Sequence, residues 1–151
     1  MAIYNSPLVS GAVPTPTHGL AANLKVMRTT VTMAAAPATT DTIRLFTMPK
    51  NSVLQGFEVQ ASQMDTNGVP ALAFNIGDAG SATRLFAAVP VGRVVTPLVK
   101  NETDATATPA GVGYQFPADT MVVAVPSANA ASGAAGTLTL SVFYSLVGGA
   151  S

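Results

Sequence analysis

Apolar and polar residues alternate with a period of two through most of the chain after residue 23. In 137–146, for example, Leu138 and Leu140 alternate with Thr and Ser, and 42–48 shows the same pattern. This period is typical of half-buried β-strands. It predicts strands over 24–32, 42–48, 52–64, 69–77, 83–89, 91–99, 114–116, 120–125 and 137–146.

The clearest turn signal is the string Asp-Thr-Asn-Gly at 65–68. Asn-Gly readily takes the positive φ angles that a tight hairpin turn needs. We therefore predict that Asp65, Asn67 and Gly68 form the turn of an antiparallel hairpin. In this hairpin 52–64 pairs with 70–77, and Phe57 packs beside Phe74.

No segment repeats apolar residues at helical spacing between helix-capping residues. Many short strands separated by Gly- and Pro-containing turns indicate a β-sandwich or a barrel. The predicted fold is all-β, an antiparallel β-sandwich of jelly-roll type over 24–151. At 151 residues, one such domain is the default.

Residues 1–23 are predicted to form an extended N-terminal arm. Pro7, Pro14 and Pro16 disfavour a helix, yet the segment is too apolar for a solvated tail. Such an arm lies on its own domain or on a neighbouring subunit, and a frayed terminus is the alternative. The contact residues predicted for the arm are Ile3, Tyr4, Pro7, Leu8, Val9 and Val13.

Charge is scarce. Asp, Glu, Lys and Arg make up 9% of the chain, against about 25% in an ordinary globular domain. Because surface charge normally keeps monomers apart, this composition favours a component of a larger assembly. The seven basic residues balance seven acidic ones and are scattered singly. That argues against a nucleic-acid partner.

No apolar run reaches the length of a membrane span, so we expect no membrane partner. The chain has no Cys and its N-terminus lacks the pattern of a secretory signal peptide, which fits synthesis in the cytoplasm.

The sequence offers little catalytic chemistry. Its one His, His18, lies in the Pro- and Gly-rich arm, where a general base is difficult to hold in place. No serine sits in a G-x-S-x-G elbow. Asp65, Asn67 and Asp78 lack the later ligands of a calcium loop. We therefore expect no enzyme activity, no metal and no cofactor.

Residues 57–88 resemble small virion proteins encoded beside the major capsid gene in tailed bacteriophages. The resembling features are the turn at 65–68, the strand Leu72–Ile76, the pair Gly77-Asp78 and the segment Arg84-Leu85-Phe86. The resemblance implies a capsid decoration, or cement, protein on the outer surface of the phage head. Such proteins are β-rich, commonly form trimers at three-fold and quasi-three-fold positions, and often extend an N-terminal arm across the shell. The implied partners are the major capsid protein and further copies of this chain.

Two other hypotheses stay open at this stage. The first is a head-fibre or receptor- or glycan-binding virion domain that uses the loops at 101–113 and 127–136. The second is a small β-barrel enzyme or ligand binder, which requires a pocket that contains His18 or paired carboxylates.

Overall fold

The fold consists of two β-sheets packed face to face. A computed structural model of the chain describes residues 1–7, 9–10, 24–96, 99–108 and 111–147. This part of the chain contains strands and turns and no α-helix. The strands are β1 (Ile3–Asn5), β2 (Lys25–Met33), β3 (Thr42–Met48), β4 (Ser52–Ala61), β5 (Ala73–Asp78), β6 (Ser81–Val89), β7 (Val99–Asn101), β8 (Thr120–Ala128) and β9 (Gly136–Leu146).

The strand order identifies a jelly roll. One sheet has the order β1-β3-β8-β5-β6 and the other the order β2-β9-β4-β7. Among themselves, strands β2 to β9 pair only in the antiparallel sense, and the chain crosses repeatedly between the two sheets, as in a double-sheet jelly roll. The predicted all-β, jelly-roll-like sandwich is thus confirmed. The short β1 adds one parallel pair, with β3, at the edge of the five-stranded sheet.

The core lies between the inner faces of the two sheets. Every second residue of β2, from Met27 to Met33, is buried, which matches the alternation in the sequence. At the centre, the rings of Phe57 and Phe86 meet edge to face, with centroids 5.1 Å apart. This arrangement places the ring edge of one residue against the ring face of the other and stabilises the contact between the sheets.

The predicted hairpin between 52–64 and 70–77 is wrong. Strand β4 pairs with β9 and β7, whereas β5 belongs to the other sheet and pairs with β8 and β6. The segment 62–72 is therefore a crossover between the sheets, and Phe57 and Phe74 lie on different sheets. Neither Asn67 nor Gly68 has a left-handed φ. Period-two alternation indicates which side of a strand is buried, but it carries no information on the pairing partner.

The predicted strand at 91–99 is also wrong over most of its length. Residues 91–96 form turns, and of the described residues in this segment only Val99 belongs to a strand, β7. The carbonyl of Gly92, a residue with a φ of 84°, accepts the N–H groups of Met64 and Asp65. These bonds fix 91–96 as a loop against the crossover segment rather than as an extended strand.

Candidate functional site

The described residues contain no cluster of three or more His, Cys, Asp or Glu side chains that could hold a metal ion. None of their elements is a helix long and apolar enough to cross a membrane. The features that distinguish this surface are instead the two ends of the sandwich, which differ in charge.

We call one end of the sandwich the loop end. It consists of the connections β2–β3 (34–41), β4–β5 (62–72), β6–β7 (90–98, described to 96) and β8–β9 (129–135). Backbone hydrogen bonds join these loops: Thr66 donates to Ser132, and Met64 donates to Gly92. The side chain of Asn129 also accepts the N–H of Thr39, at 2.8 Å. The four loops therefore form one continuous surface.

Asp65 is the fully buried centre of the loop end. Five backbone N–H groups from two loops donate to its carboxylate. On Oδ1 these are Asn67 (3.3 Å) and Ser132 (3.0 Å), and on Oδ2 they are Ala71 (2.7 Å), Leu72 (3.1 Å) and Ala131 (3.0 Å). Burial alone raises the pKa of this carboxyl, but the hydrogen bonds from Ala131, Ser132, Ala71 and Leu72 outweigh it and hold the pKa well below its usual range. The ionised side chain of Asp65 thus joins the β4–β5 and β8–β9 loops through hydrogen bonds.

The loop end contains only two other charged side chains, and both are also used internally. Asp41 accepts the N–H of Ala2 at 2.7 Å and that of Ala38 at 2.9 Å, and these bonds lower its pKa. The guanidinium of Arg93 is half-buried and donates to the carbonyl oxygens of Ala71 and Leu72. Each charged side chain of the loop end thus has hydrogen-bond partners in the backbone of the protein.

Apolar side chains project from this end instead. Val69 is 82% exposed and Val95 is 79% exposed, and Val94 is exposed beside it. The rest of the exposed surface of the loops is largely Ala, Thr, Ser and Gly. Exposed apolar residues that cluster on one surface commonly mark an interaction site.

We call the opposite end the charged end. It consists of the connections β3–β4 (49–51), β5–β6 (79–80) and β7–β8 (102–119, described except for 109–110). At its centre the Arg84 guanidinium pairs with the Asp78 carboxylate and stacks 3.5 Å from the centroid of the Tyr114 ring. A second ion pair joins Lys100 to Asp104 at 2.8 Å.

These ion pairs shift the pKa values of their carboxyl groups. Burial raises the pKa of Asp78, but the hydrogen bonds from Arg84, Ser81 and Gly80 lower it below its usual range. Lys100 and the Thr106 hydroxyl and amide lower the pKa of Asp104 to about 2. Both carboxylates are ionised at neutral pH, and the exposed side chains of Lys50, Glu102 and Asp119 present charge to solvent at this end.

Gly77 allows the backbone of β6 to approach closely beside the β5–β6 turn. A Cβ at residue 77 would lie 2.1 Å from the carbonyl oxygen of Ser81 and 2.7 Å from the amide nitrogen of Arg84. The backbone of β6 therefore passes directly over residue 77, and this close approach brings Arg84 to Asp78. Asp78 also accepts the N–H groups of Gly80 and Ser81, which closes the β5–β6 turn.

The first predicted arm residues lie on the protein's own domain. Ile3 to Asn5 pair with β3, and the side chain of Tyr4 packs against the core. Pro7 and Val9 are half-buried, whereas Ile3 is 46% exposed. Leu8, Val13 and His18 lie outside the described residues.

The predicted turn residues divide into two groups. Asn67 and Gly68 are exposed at the loop end, where the Asn67 side chain accepts the N–H of Val69 at 2.9 Å. Asp65 is buried and joins two loops, a role that sequence reasoning missed together with the role of Arg93. No sequence signal could have revealed that these side chains join loops, because the Ala131 and Ser132 amides that bind Asp65 and the carbonyls that bind Arg93 belong to other loops.

Comparison with known proteins gives two informative matches. No protein-family model and no curated protein matches the sequence. Among solved structures, the chain is similar to one in the cyanophage Pam1 capsid asymmetric unit, with 30% identity and a TM-score of 0.75 over 89% of this chain and 93% of that chain. It is also similar to one in the capsid of Ralstonia phage GP4, with 25% identity and a TM-score of 0.76 over 97% of this chain and 99% of that chain.

Proposed function

This chain belongs to a family of bacteriophage capsid proteins that includes the matched chain of the cyanophage Pam1 capsid, and we propose that it acts there as a decoration, or cement, protein. Its role is a structural one in the virion. In the proposal it binds the outer surface of the head and reinforces the shell. The observation that carries the proposal is that similarity to capsid chains extends over nearly the whole fold, rather than over one motif.

The proposed partner is the major capsid protein, and the proposed assembly is a homotrimer at three-fold and quasi-three-fold positions. A trimer that touches several capsid subunits converts modest single contacts into tight binding, because each later contact is intramolecular. The scarcity of charged side chains in the loop end supports a contact role, since charged residues are depleted in the cores of protein interfaces. We propose no catalysis and no nucleic-acid or membrane partner.

The proposed arm contacts are Ile3, Pro7, Leu8, Val9 and Val13. Of these, Ile3 combines a fixed backbone with a side chain that is nearly half exposed. Burial of such a side chain against the shell stabilises the complex by about 25 cal/mol for each Å² of apolar area removed from water. Tyr4, which is packed on the core of its own domain, would support the strand rather than touch a neighbour.

The aromatic residues weigh against the glycan-binding alternative. All six Phe and three Tyr residues lie in the described part of the chain, and none of them is exposed. Tyr114, which directly follows the 101–113 loop, has one ring face covered by the Arg84 guanidinium. A sugar-stacking platform needs a free ring face, and these loops present none.

The test is a binding assay with empty heads assembled from the capsid protein of the same phage. Purified protein is mixed with the heads, and the bound fraction is measured by sedimentation and located by cryo-electron microscopy. We expect saturable binding at three-fold and quasi-three-fold positions and a trimeric mass in native mass spectrometry. A protein that remains in the supernatant, or that binds only inside the shell, contradicts the proposal.

A further inference from the structure

The tip of the β4–β5 loop consists of residues 67–70 and projects between two anchored positions. On one side, the N–H and the hydroxyl of Thr66 donate to the carbonyl of Ser132, at 2.9 and 3.2 Å. On the other side, the N–H of Ala71 donates to the buried Asp65 carboxylate at 2.7 Å. The first three residues of the tip are exposed. The tip thus meets solvent while both of its ends are held in place.

This tip contains Asn67-Gly68, the single Asn-Gly pair in the chain. Asparagine is chemically labile, because the backbone nitrogen of the next residue can attack the carbon of its side-chain amide. A glycine at the next position favours this attack, since it has no Cβ that shields the nitrogen. Even the place that a Cβ of residue 68 would occupy has no other atom within 4 Å. The approach to the Gly68 nitrogen is therefore open.

The nucleophile in such an attack is the Gly68 nitrogen after loss of its proton. The amides on either side are engaged, since the N–H of Asn67 donates to Asp65 at 3.3 Å and that of Val69 donates to Asn67 at 2.9 Å. The Gly68 N–H donates to no acceptor within the described part of the chain. An exposed amide without an acceptor exchanges its proton readily with solvent. The Gly68 nitrogen is thus available to react.

The electrophile is Cγ of the Asn67 side chain. Its Oδ1 accepts the N–H of Val69, two residues further along, so the side chain folds back over the peptide that contains the Gly68 nitrogen. This bond keeps the reacting atoms on the same side of the chain. It also polarises the side-chain carbonyl and stabilises the negative charge that develops on Oδ1 during the attack. The tip therefore combines an accessible nucleophile with an oriented electrophile.

We propose that Asn67 deamidates spontaneously in the folded protein, through attack of the Gly68 nitrogen on its side-chain carbon Cγ. The new bond from this nitrogen to Cγ closes a succinimide ring, the bond from Cγ to Nδ2 breaks, and Nδ2 leaves as ammonia with the proton from Gly68. Water then opens the ring at one of its two carbonyl carbons, which gives aspartate or isoaspartate at position 67. Water is the only co-reactant, so the reaction needs no enzyme and no oxidant. The inference is independent of the proposed function.

Either product changes the exposed tip of the loop end. Both products carry a carboxylate where the unmodified side chain is uncharged, two residues from the ionised Asp65. Isoaspartate also adds one CH₂ group to the main chain between Thr66 and Ala71. Because hydrogen bonds fix both of these residues, the tip itself must absorb the added length. The loop end thus gains negative charge as the protein ages.

The experiment incubates the purified protein under mildly alkaline conditions in water labelled with oxygen-18. Peptide mass spectrometry follows position 67, and a methyltransferase specific for isoaspartate detects that product. The variant Gly68→Ala keeps Asn67 and adds a Cβ in open space, so it is expected to fold, which melting curves verify. Asn101 is an internal reference in the same digests, since it is exposed and accepts the N–H of Thr103 at 3.1 Å but precedes Glu102.

We expect Asn67 to lose ammonia and to incorporate one labelled oxygen atom. Its rate should be at least about tenfold above that of Asn101, and above that of Asn67 in the Gly68→Ala variant, because a Cβ shields the attacking nitrogen in both controls. A synthetic peptide of residues 62–72 gives the rate without the fold. The folded protein should react within about tenfold of the peptide rate or faster, because the hydrogen bond from Val69 holds the reacting atoms together.

Two results would overturn the inference. Equal rates in the unmodified protein and in Gly68→Ala would show that the Gly68 nitrogen is not the nucleophile. A rate at Asn67 more than about tenfold lower in the folded protein than in the peptide would show that the fold protects this pair. Neither measurement involves phage heads, so a failure here is distinguishable from a failure of the proposed function.

Discussion

The Asp65→Asn substitution tests whether one buried carboxylate holds the loop end together. The change keeps the size and shape of the side chain but replaces one oxygen by an NH₂ group, which donates and cannot accept. Oδ1 accepts two backbone N–H groups and Oδ2 accepts three. In either orientation of the amide, at least two N–H groups lose their acceptor and face another donor.

The expected loss follows from those two bonds. A hydrogen bond to a charged group contributes about 1.5–3 kcal/mol to stability, so the loss of two lowers the free energy of unfolding by roughly 3–6 kcal/mol. A domain of this size is stabilised by only about 5–15 kcal/mol in total. At roughly 2–4 °C for each kcal/mol, the melting temperature should fall by about 6–24 °C.

Urea denaturation followed by circular dichroism, at one protein concentration and at pH 7, measures the change in unfolding free energy. The matched control is Asp119→Asn. That carboxylate is exposed and accepts a single backbone N–H, from Lys50 at 2.8 Å, which an Asn oxygen can also accept. We expect the control to lose less than about 1 kcal/mol.

Equal behaviour of the two variants would refute the reasoning. If Asp65→Asn is no more destabilising than Asp119→Asn, the five hydrogen bonds do not stabilise the loop end. Acid gives an independent check. Because the pKa of Asp65 is lower in the folded protein than in the unfolded chain, its contribution is complete above the unfolded value of about 3.9 and is lost as the pH falls below it. Asp65→Asn should remove this part of the acid sensitivity.

Three further predictions concern the charged end and the crossover. Gly77→Ala should lower the free energy of unfolding by about 3 kcal/mol, because the added Cβ would meet the backbone of β6. The control Gly68→Ala should be nearly neutral in the same urea assay, since residue 68 has open space around its Cβ and no left-handed φ. Equal losses in the two variants would contradict the close approach at Gly77. Asp104→Asn should lower stability at pH 7 and reduce the loss of stability between about pH 4 and pH 2. The bond to Lys100 depresses the pKa of Asp104 and is lost when the carboxylate is protonated. A variant with the same dependence of stability on pH as the unmodified protein would argue against the lowered pKa. Arg84→Lys keeps the positive charge but loses the two-pronged pairing with Asp78 and the stacking on Tyr114. It should lower the free energy of unfolding by about 1–2 kcal/mol in the urea assay. A loss near zero would mean that the charge alone accounts for the stabilisation by Arg84.

The alternation of apolar and polar residues predicted the strands well where the alternation was regular. The segment 42–48 coincides with β3, and 137–146 differs from β9 by one residue. Both successes rest on side-chain alternation, which a strand imposes whatever its partner is. The same alternation gave a false strand at 91–99, where a positive φ at Gly92 and hydrogen bonds to another loop override the local preference.

The candidate surface was predictable only in part. The apolar N-terminal segment and the scarcity of charge were visible in the sequence, and both point to contacts. The loop end as a unit was not visible, because its four loops are separated by up to a hundred residues in the chain. Val69 and Val95 come to the same end of the sandwich only through the crossover of β4 to β5 and the hydrogen bonds between their loops.

The sequence by itself determined that this protein is all-β and that it carries little charge. These properties follow from residue identity and from neighbours along the chain. The tertiary structure decided which strands pair and that 62–72 crosses between the sheets. It also decided that the buried side chain of Asp65 joins two loops instead of belonging to a hairpin turn. The physical reason is that strand pairing and carboxylate hydrogen bonds use backbone groups, which every residue carries alike, so only the folded arrangement selects among them.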